Sequence, residues 1–283
     1  MRSLTPVPSP PTCLDRYVEI RDSKRDPTRK LLTVAHSFVT NRYRAHAAAL
    51  ATGTLHSLVP ASSSSKLQSA LRKCYDSPTK KRQELLAAII KVQERGTTKY
   101  CYYCQTTLAG GWDHYLPAVK FPEYTVLVDN LIPSCSTCNS TKDDDWLNNA
   151  GQRQYIHFAH DGIPDVPFLR VQLITDPASP TVGAKFSLHK AGMSDDEWLL
   201  ISSHFKRLKL VTSYDAKAND EIDAGLDGCC AHLEAGGDDV AAFLRSQANS
   251  QAKLFGRNHW RAVLWFAMAA DPNLRVWVDA RCG

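Results

Sequence analysis

Residues 100–142 read YCYYCQTTLAGGWDHYLPAVKFPEYTVLVDNLIPSCSTCNSTK, and the rest of the chain is organised around this stretch. It contains two Cys-x-x-Cys pairs separated by 30 residues: Cys101 with Cys104, and Cys135 with Cys138. Each pair presents two thiolates to one metal ion, so two pairs can close a tetrahedral four-sulfur zinc site. A single Cys-x-x-Cys is also typical of a redox motif, but two copies around one compact unit favour a metal. A closed ligand set predicts a zinc ion that supports folding and not chemistry.

Between the two pairs lies the dipeptide Asp113-His114, the candidate for chemistry. A carboxylate oxygen is a ligand that Mg²⁺ prefers, and an imidazole can take a proton from water. Adjacent residues on a strand point to opposite faces, so the two side chains can share one substrate only where the strand ends or twists. The alternative interpretation is an ordinary Asp-His pair in a surface turn.

In order and spacing, the stretch resembles the HNH endonuclease motif, a ββα-metal unit, in its zinc-braced form. The resemblance implies that Asp113 is a ligand of a catalytic Mg²⁺ or Mn²⁺ ion and that His114 is the general base. It also implies that Asn130 braces the intervening loop and orients the histidine. Asn139 stands where many members have histidine, which makes this chain an H-N-N variant with Asn139 as second protein ligand of the metal. The motif ends at Lys142, for which we predict either a phosphate contact or a solvent-facing position.

Downstream, residues 155–161 read YIHFAHD and resemble the Ile-His-Pro-Tyr-x-Asp box of one group of bacterial HNH proteins. His157 matches the histidine of that box, whereas Phe158 and Ala159 replace its Pro-Tyr. We predict that His157 either contacts a phosphate or is a structural histidine. The group includes HNH subunits of anti-phage defence systems, often encoded beside an ATPase. The resemblance therefore implies a role in antiviral defence and a defence ATPase as a possible partner.

Charge is distributed unevenly along the chain. Residues 1–100 hold 18 Lys and Arg against 7 Asp and Glu, a net charge of +11, whereas residues 101–283 carry a net charge of −6. A basic half joined to a candidate metal site predicts a surface that binds nucleic-acid phosphates. The alternative is a solvated, lysine-rich face. Within this half, Ser77-Pro78 predicts the start of a helix. Its basic first turn, predicted to contact the nucleic-acid backbone, contains Lys80, Lys81 and Arg82.

Hydrophobic periodicity predicts an α+β fold that is mainly helical. Strands are predicted at residues 99–103, 125–128, 168–174 and 184–188, with a Pro-rich turn between the last two. Helices are predicted at about residues 30–50, 78–96, 138–148 and 194–211, and through most of the chain after residue 216, and a flexible connection at 51–66. Three regions are expected: a basic, mostly helical region at 1–98, the nuclease core with its zinc site at 99–160, and a mixed, then helical region at 161–283.

Composition narrows the class of protein. With 43% hydrophobic and 22% charged residues, the chain is expected to be globular, and no apolar run is long enough to cross a bilayer. The first residues lack the apolar core of a secretory signal. Four of the nine cysteines belong to the predicted zinc site, so a disulfide scaffold is not expected. The other five are predicted to be reduced thiols in a cytoplasmic protein: Cys13, Cys74, Cys229, Cys230 and Cys282.

Together these patterns predict a cytoplasmic, metal-dependent endonuclease that hydrolyses phosphodiester bonds, with DNA favoured as substrate and RNA possible. The rival is a non-catalytic module, in which a zinc ribbon on a basic helical arm binds nucleic acid or a protein partner. The rival explains the cysteines and the charge. It gives no reason for the positions of the Asp-His dipeptide and the two asparagines.

Overall fold

The computed structural model describes residues 1–176 and 179–283, and its fold is α+β and mostly helical, as predicted. The α-helices are α1 (Cys13–Asp22), α2 (Thr28–Val34), α3 (His36–Ala51), α4 (Ser65–Asp76), α5 (Lys80–Lys91), α6 (Ser136–Lys142), α7 (Asp195–Arg207), α8 (Leu210–Glu234), α9 (Val240–Phe255), α10 (Trp260–Ala270) and α11 (Leu274–Cys282). The strands are β1 (Gly111–His114), β2 (Leu131–Ser134), β3 (Leu169–Asp176) and β4 (Ser179–Leu188).

The chain divides into two compact units. One unit contains Ser3–Tyr103 and Thr107–Gly162; the other contains Met1–Arg2, Cys104–Thr106 and Ile163–Gly283. Nearly all of the predicted basic region and of the predicted nuclease core therefore belong to the same unit.

In the first unit, several helices begin directly after a residue whose side chain caps the helix. Thr12 and Asp15 form a reciprocal capping box at the start of α1, and Ser64 caps α4. Thr79 caps α5, which begins two residues after the predicted Pro78. The single helix predicted for residues 30–50 is divided at Ala35, where α2 ends and α3 begins. Helix α4 begins at the end of the predicted flexible connection.

The candidate chemical residues lie on a small hairpin followed by a short helix. Strands β1 and β2 pair antiparallel, with Asp113 opposite Ile132 and His114 opposite Leu131, and α6 follows directly and packs on β1. The strands predicted at 99–103 and 125–128 are wrong. The first of these segments makes an isolated bridge from Tyr100 to Leu108 and then turns at the cysteine pair. The second runs from one short 3₁₀ helix into the next, so neither segment forms a strand. Helix α6 is also shorter than predicted, because Asp143 adopts a left-handed φ of 45°.

The second unit is built on the predicted hairpin of β3 and β4. The two strands pair antiparallel, and the register begins with Leu169 opposite Leu188. The Pro-rich turn predicted between them lies partly outside the described residues. Helix α7 starts at Ser194 with a capping box to Glu197, as its sequence predicts. Helices α8, α9, α10 and α11 pack around one another and the hairpin. Among the described residues, no helix is both long and apolar enough to cross a membrane.

One cysteine prediction is wrong. Cys230 and Cys282 form a disulfide, which links α8 to α11. The packing of the two helices brings their Cα atoms to 5.5 Å, a separation that a disulfide spans. The sequence offered no sign of this pairing because 52 residues separate the two cysteines. Cys13, Cys74 and Cys229 are reduced thiols, as predicted.

Candidate metal centre and active site

The four cysteines of the two Cys-x-x-Cys pairs form one buried group. Their sulfur atoms all lie within 4.8 Å of one another, and each residue is at most 5% exposed. Four thiolates at this spacing match the donor set and the tetrahedral arrangement of a structural zinc site. The cluster can therefore hold a metal ion such as zinc, as the spacing of the pairs predicted.

Local backbone geometry supports each cysteine pair. The Sγ of Cys135 caps α6 by accepting the Cys138 N–H at 3.4 Å, so the helix starts at the cluster itself. After the other pair, Gln105 takes a left-handed φ of 56°, which turns the chain sharply beyond the second sulfur. The carbonyl of Cys104 accepts the Tyr214 hydroxyl at 3.1 Å. These bonds fix the direction of the turns that carry the sulfurs.

Asp113 lies on β1 and is almost fully buried, at 3% exposure. Its Oδ2 accepts the Tyr103 hydroxyl at 2.6 Å and lies 2.9 Å from the Lys142 ammonium. Two donors converge on one carboxylate oxygen, which holds the carboxylate in a single orientation. Tyr103 is a contact that sequence reasoning missed, since nothing in the Cys-Tyr-Tyr-Cys pattern distinguishes the two tyrosines.

The structure corrects the predictions for Lys142. Its side chain is fully buried, so it neither faces solvent nor is placed to contact a substrate phosphate. Instead its ammonium bonds Asp113 and also donates to the carbonyl oxygen of His114 at 2.9 Å. Burial lowers the pKa of Lys142, and the carboxylate of Asp113 opposes that shift. Lys142 therefore ties the end of α6 to the strand that carries both candidate catalytic residues.

We expect Lys142→Met to destabilise the first unit by about 3–5 kcal/mol, because it leaves the buried Asp113 carboxylate without its cation. Urea unfolding of wild type and variant measures the loss. The double variant Asp113→Asn/Lys142→Met should recover part of it, since it removes both charges together. A double variant less stable than Lys142→Met alone would contradict this account of the pair.

His114 closes β1 and is held by one hydrogen bond and one ring contact. Its Nε2 lies 3.0 Å from the carbonyl oxygen of Thr125. A carbonyl only accepts, so Nε2 carries the hydrogen and Nδ1 of the neutral ring keeps its lone pair. The Tyr75 ring packs edge-on against the imidazole, with centroids 4.5 Å apart. Burial lowers the pKa of His114, while the Thr125 bond and the charge of Asp113 oppose the shift. The imidazole is therefore neutral near pH 7 and available as a base.

Asp113 and His114 line the same pocket, which has a volume of about 270 Å³. The strand ends at His114, so the opposite-face geometry of a continuous strand does not separate them. Asn139, on the exposed side of α6, lines this pocket too, as do Ser140 and Asp144. Carboxylate and amide oxygens in one concave site fit a hard divalent cation such as Mg²⁺ or Mn²⁺. The structure thus brings three of the four predicted catalytic residues to one cavity.

The fourth, Asn130, is fully buried and is not among the residues that line the pocket. Its Oδ1 accepts the Leu116 N–H at 2.7 Å, and its Nδ2 donates to the carbonyls of Leu116 and Tyr124 at 3.1 and 3.2 Å. The backbone carbonyl of Asn130 also accepts the Tyr115 N–H at 2.9 Å. Three of these bonds tie the two ends of the loop between β1 and β2 to each other, and the bond to Tyr124 holds the middle of the loop.

His157 is fully buried, and this burial does not fit the predicted phosphate contact. Its ring packs against Tyr115 at 4.3 Å and His160 at 4.9 Å between centroids. Neither ring nitrogen has a hydrogen-bond partner among the described residues. Burial, together with the neighbouring His160 and His46, holds the pKa of His157 well below its usual value. The geometry corresponds to the alternative that the sequence left open, a structural histidine.

The predicted basic turn of α5 divides into three different environments. Lys80 is exposed and free to meet a phosphate. The Lys81 ammonium pairs with Glu19 at 3.2 Å and Glu84 at 3.0 Å. Arg82 donates to the carbonyl of Tyr75 at 2.8 Å and lies over that ring, 4.8 Å from its centroid. Of the three, Lys80 is the one whose surroundings best fit the predicted contact with a nucleic-acid backbone.

No known protein family, no curated protein and no solved structure matches this chain significantly.

Proposed function

We propose that this protein is a metal-dependent HNH endonuclease that hydrolyses phosphodiester bonds in nucleic acid, with DNA favoured over RNA. The observation that carries the proposal is the meeting of Asp113, His114 and Asn139 in one pocket. Their sequence order, on a β hairpin followed by α6, agrees with the ββα arrangement that the motif implies. A surface Asp-His turn gives no reason for these side chains to share a cavity with a neutral, oriented imidazole.

In the proposed reaction, Asp113 and Asn139 would hold a Mg²⁺ or Mn²⁺ ion through their oxygen atoms. Such an ion, when bound, stabilises negative charge on phosphate and leaving-group oxygens. The Tyr103 hydroxyl and the Lys142 ammonium both bond Oδ2 of Asp113, which fixes how its carboxylate is presented. Preorganisation of this kind is what an electrostatic site requires, because no reorientation is needed during the reaction.

His114 is the proposed general base. With the hydrogen on Nε2 engaged by Thr125, the lone pair of Nδ1 takes a proton from the attacking water. Asn130 is proposed to keep the surrounding loop closed, so that the carbonyl of Thr125 stays within reach of the imidazole.

Three further proposals accompany this function. We propose that the cysteine cluster holds zinc, and that the basic N-terminal half binds the nucleic-acid backbone. Exposed cations on α4 and α5 fit that role: Lys66, Arg72, Lys73 and Lys80. A role in anti-phage defence beside an ATPase is proposed from the motif resemblance alone.

The proposal is tested with purified, zinc-loaded protein incubated with supercoiled plasmid, single-stranded DNA and total tRNA. Each substrate is run with Mg²⁺, with Mn²⁺ and with EDTA, with and without cell lysate. We expect cutting that depends on the divalent ion, with plasmid or single-stranded DNA cut more readily than tRNA. If the protein cuts no substrate under any of these conditions but binds nucleic acid in a gel-shift assay, the nuclease proposal is wrong and the protein is a binding module.

A further inference from the structure

Two groups hold the His114 imidazole, the Tyr75 ring and the Thr125 carbonyl, and both are connected to α4. This helix ends at Asp76, 38 residues before the histidine. The Tyr75 ring meets the imidazole at an interplanar angle of 77°. The Thr125 carbonyl accepts from Nε2, and the Thr125 hydroxyl donates at 3.0 Å to the carbonyl of Leu71 or, at the same distance, to that of Pro122. One imidazole is thus held directly by α4 and indirectly through Thr125.

Leu71 and Tyr75 are four residues apart on α4, so they lie on one face of the helix. Leu71 is 1% exposed and Thr125 is 2% exposed, so their contact lies in the interior, where water does not compete for the hydrogen bond. The same helical face therefore offers an acceptor to the Thr125 hydroxyl and forms the wall against which the imidazole rests.

The carboxyl end of α4 is itself fixed. The buried Lys24 ammonium donates to the carbonyls of Lys73 at 2.6 Å and Ser77 at 2.8 Å, which are among the last acceptors of the helix. Arg82 bonds the carbonyl of Tyr75 and covers the ring face. Two cations thus anchor the backbone that carries Tyr75, which makes this end of α4 a firm support.

We propose that α4 positions the general base, with Tyr75 and Thr125 as positioning residues; this inference rests on the proposed nuclease function. A base on a freely turning ring presents its lone pair to the attacking water only part of the time. Productive geometry requires about 0.5 Å and roughly 10–20° of precision, which packing and outer hydrogen bonds supply. The Thr125 carbonyl selects the Nε2–H form, and the contact with the Tyr75 ring restricts rotation of the imidazole.

The test compares four variants of the zinc-loaded full chain. Tyr75→Leu removes the ring, Tyr75→Phe keeps it, and Thr125→Val removes the hydroxyl that anchors the carbonyl. Thr97→Val is the matched control, because the buried Thr97 hydroxyl also donates to a backbone carbonyl, that of Glu94 at 2.7 Å. Circular dichroism establishes that each variant is folded.

We expect Tyr75→Leu to lower kcat by about 10–100-fold with KM changed by no more than about threefold, since misplacement of a catalytic group costs rate and not binding. Tyr75→Phe should recover most of the loss. Thr125→Val should lower kcat by about tenfold, and Thr97→Val should match wild type. A folded Tyr75→Leu with wild-type kcat, or a Phe variant as slow as the Leu variant, would overturn the proposal.

A second readout does not depend on activity. Long-range ¹H–¹⁵N spectra, assigned with His114→Ala, report which ring nitrogen carries the hydrogen. Wild type is expected to show the Nε2–H form, and Thr125→Val and Tyr75→Leu a larger share of the Nδ1–H form. If wild type cuts no substrate, the nuclease proposal fails and these spectra alone decide the positioning; unchanged spectra in both variants would overturn it. If Tyr75→Leu does not fold, Thr125→Val decides in both assays.

Discussion

Replacement of His114 by alanine is expected to lower the rate of metal-dependent cleavage by about 10³-fold, because loss of a positioned general base typically costs between about 10² and 10⁴. The imidazole bonds the carbonyl of Thr125 and packs on Tyr75, whereas β1 is held by its pairing with β2 and by the Lys142 ammonium. Its removal should therefore leave the fold intact. Initial rates on the preferred substrate, together with melting temperature and zinc content, measure the two effects separately.

His56→Ala is the matched control. His56 lies exposed in the short 3₁₀ helix Leu55–Ser57 and takes no part in the pocket. It should cut at the wild-type rate. A clean preparation of His114→Ala that retains wild-type activity would remove the histidine from the reaction, and equal losses in both variants would point to a preparation fault.

The pH dependence of the wild-type rate offers a second check on His114. Because burial lowers its pKa below the ordinary value, the base stays neutral to a lower pH than an exposed histidine would. Cleavage should persist just below pH 6.5 and decline as the pH falls through the lowered pKa of His114, where the imidazole gains a proton and loses its lone pair. A rate that rises over the same acidic range would be inconsistent with a neutral histidine base.

The cysteine group could be predicted from the sequence because each Cys-x-x-Cys turn is local. Two residues between the cysteines set the separation of two sulfurs, whatever the rest of the chain does. The same holds for the caps at Thr12 and Ser194, where a side chain bonds a backbone group three residues away. In these cases the information lies within a few neighbouring positions.

The surroundings of Asp113 and His114 could not be predicted, because they depend on contacts between distant segments. The Lys142 ammonium bonds the His114 carbonyl across 28 residues, and the Thr125 hydroxyl reaches Leu71 across 54. A lysine at a helix end is normally exposed, so its burial follows from the carboxylate that happens to face it. The disulfide between Cys230 and Cys282 could not be predicted for the same reason, since it depends on the packing of two helices that are distant in sequence.

Cys135→Ser is expected to abolish zinc binding and to lower the melting temperature by more than about 10 °C. Structural zinc contributes about 10 kcal/mol or more to the folding of small zinc-bound units. Each kcal/mol of lost stability lowers the melting temperature by roughly 2–4 °C in a domain of about 150–250 residues. Zinc content by mass spectrometry and thermal unfolding by circular dichroism measure both effects. Because the Cys135 sulfur also caps α6, the variant should lose activity through displacement of Asn139, which lies on that helix.

Cys74→Ser separates the loss of a zinc ligand from the loss of a buried thiol. Cys74 is 1% exposed and reduced, and its Sγ lies near the Ala70 carbonyl in α4, away from the cysteine cluster. The Cys74→Ser variant should keep its full zinc content, and its melting temperature should fall only modestly, because a hydroxyl in place of a thiol disturbs packing without removing a zinc ligand. Normal zinc content in Cys135→Ser would contradict the structural site. Equal destabilisation of the two variants, with zinc lost only from Cys135→Ser, would mean that zinc binds at the cluster but contributes little to the stability of the fold.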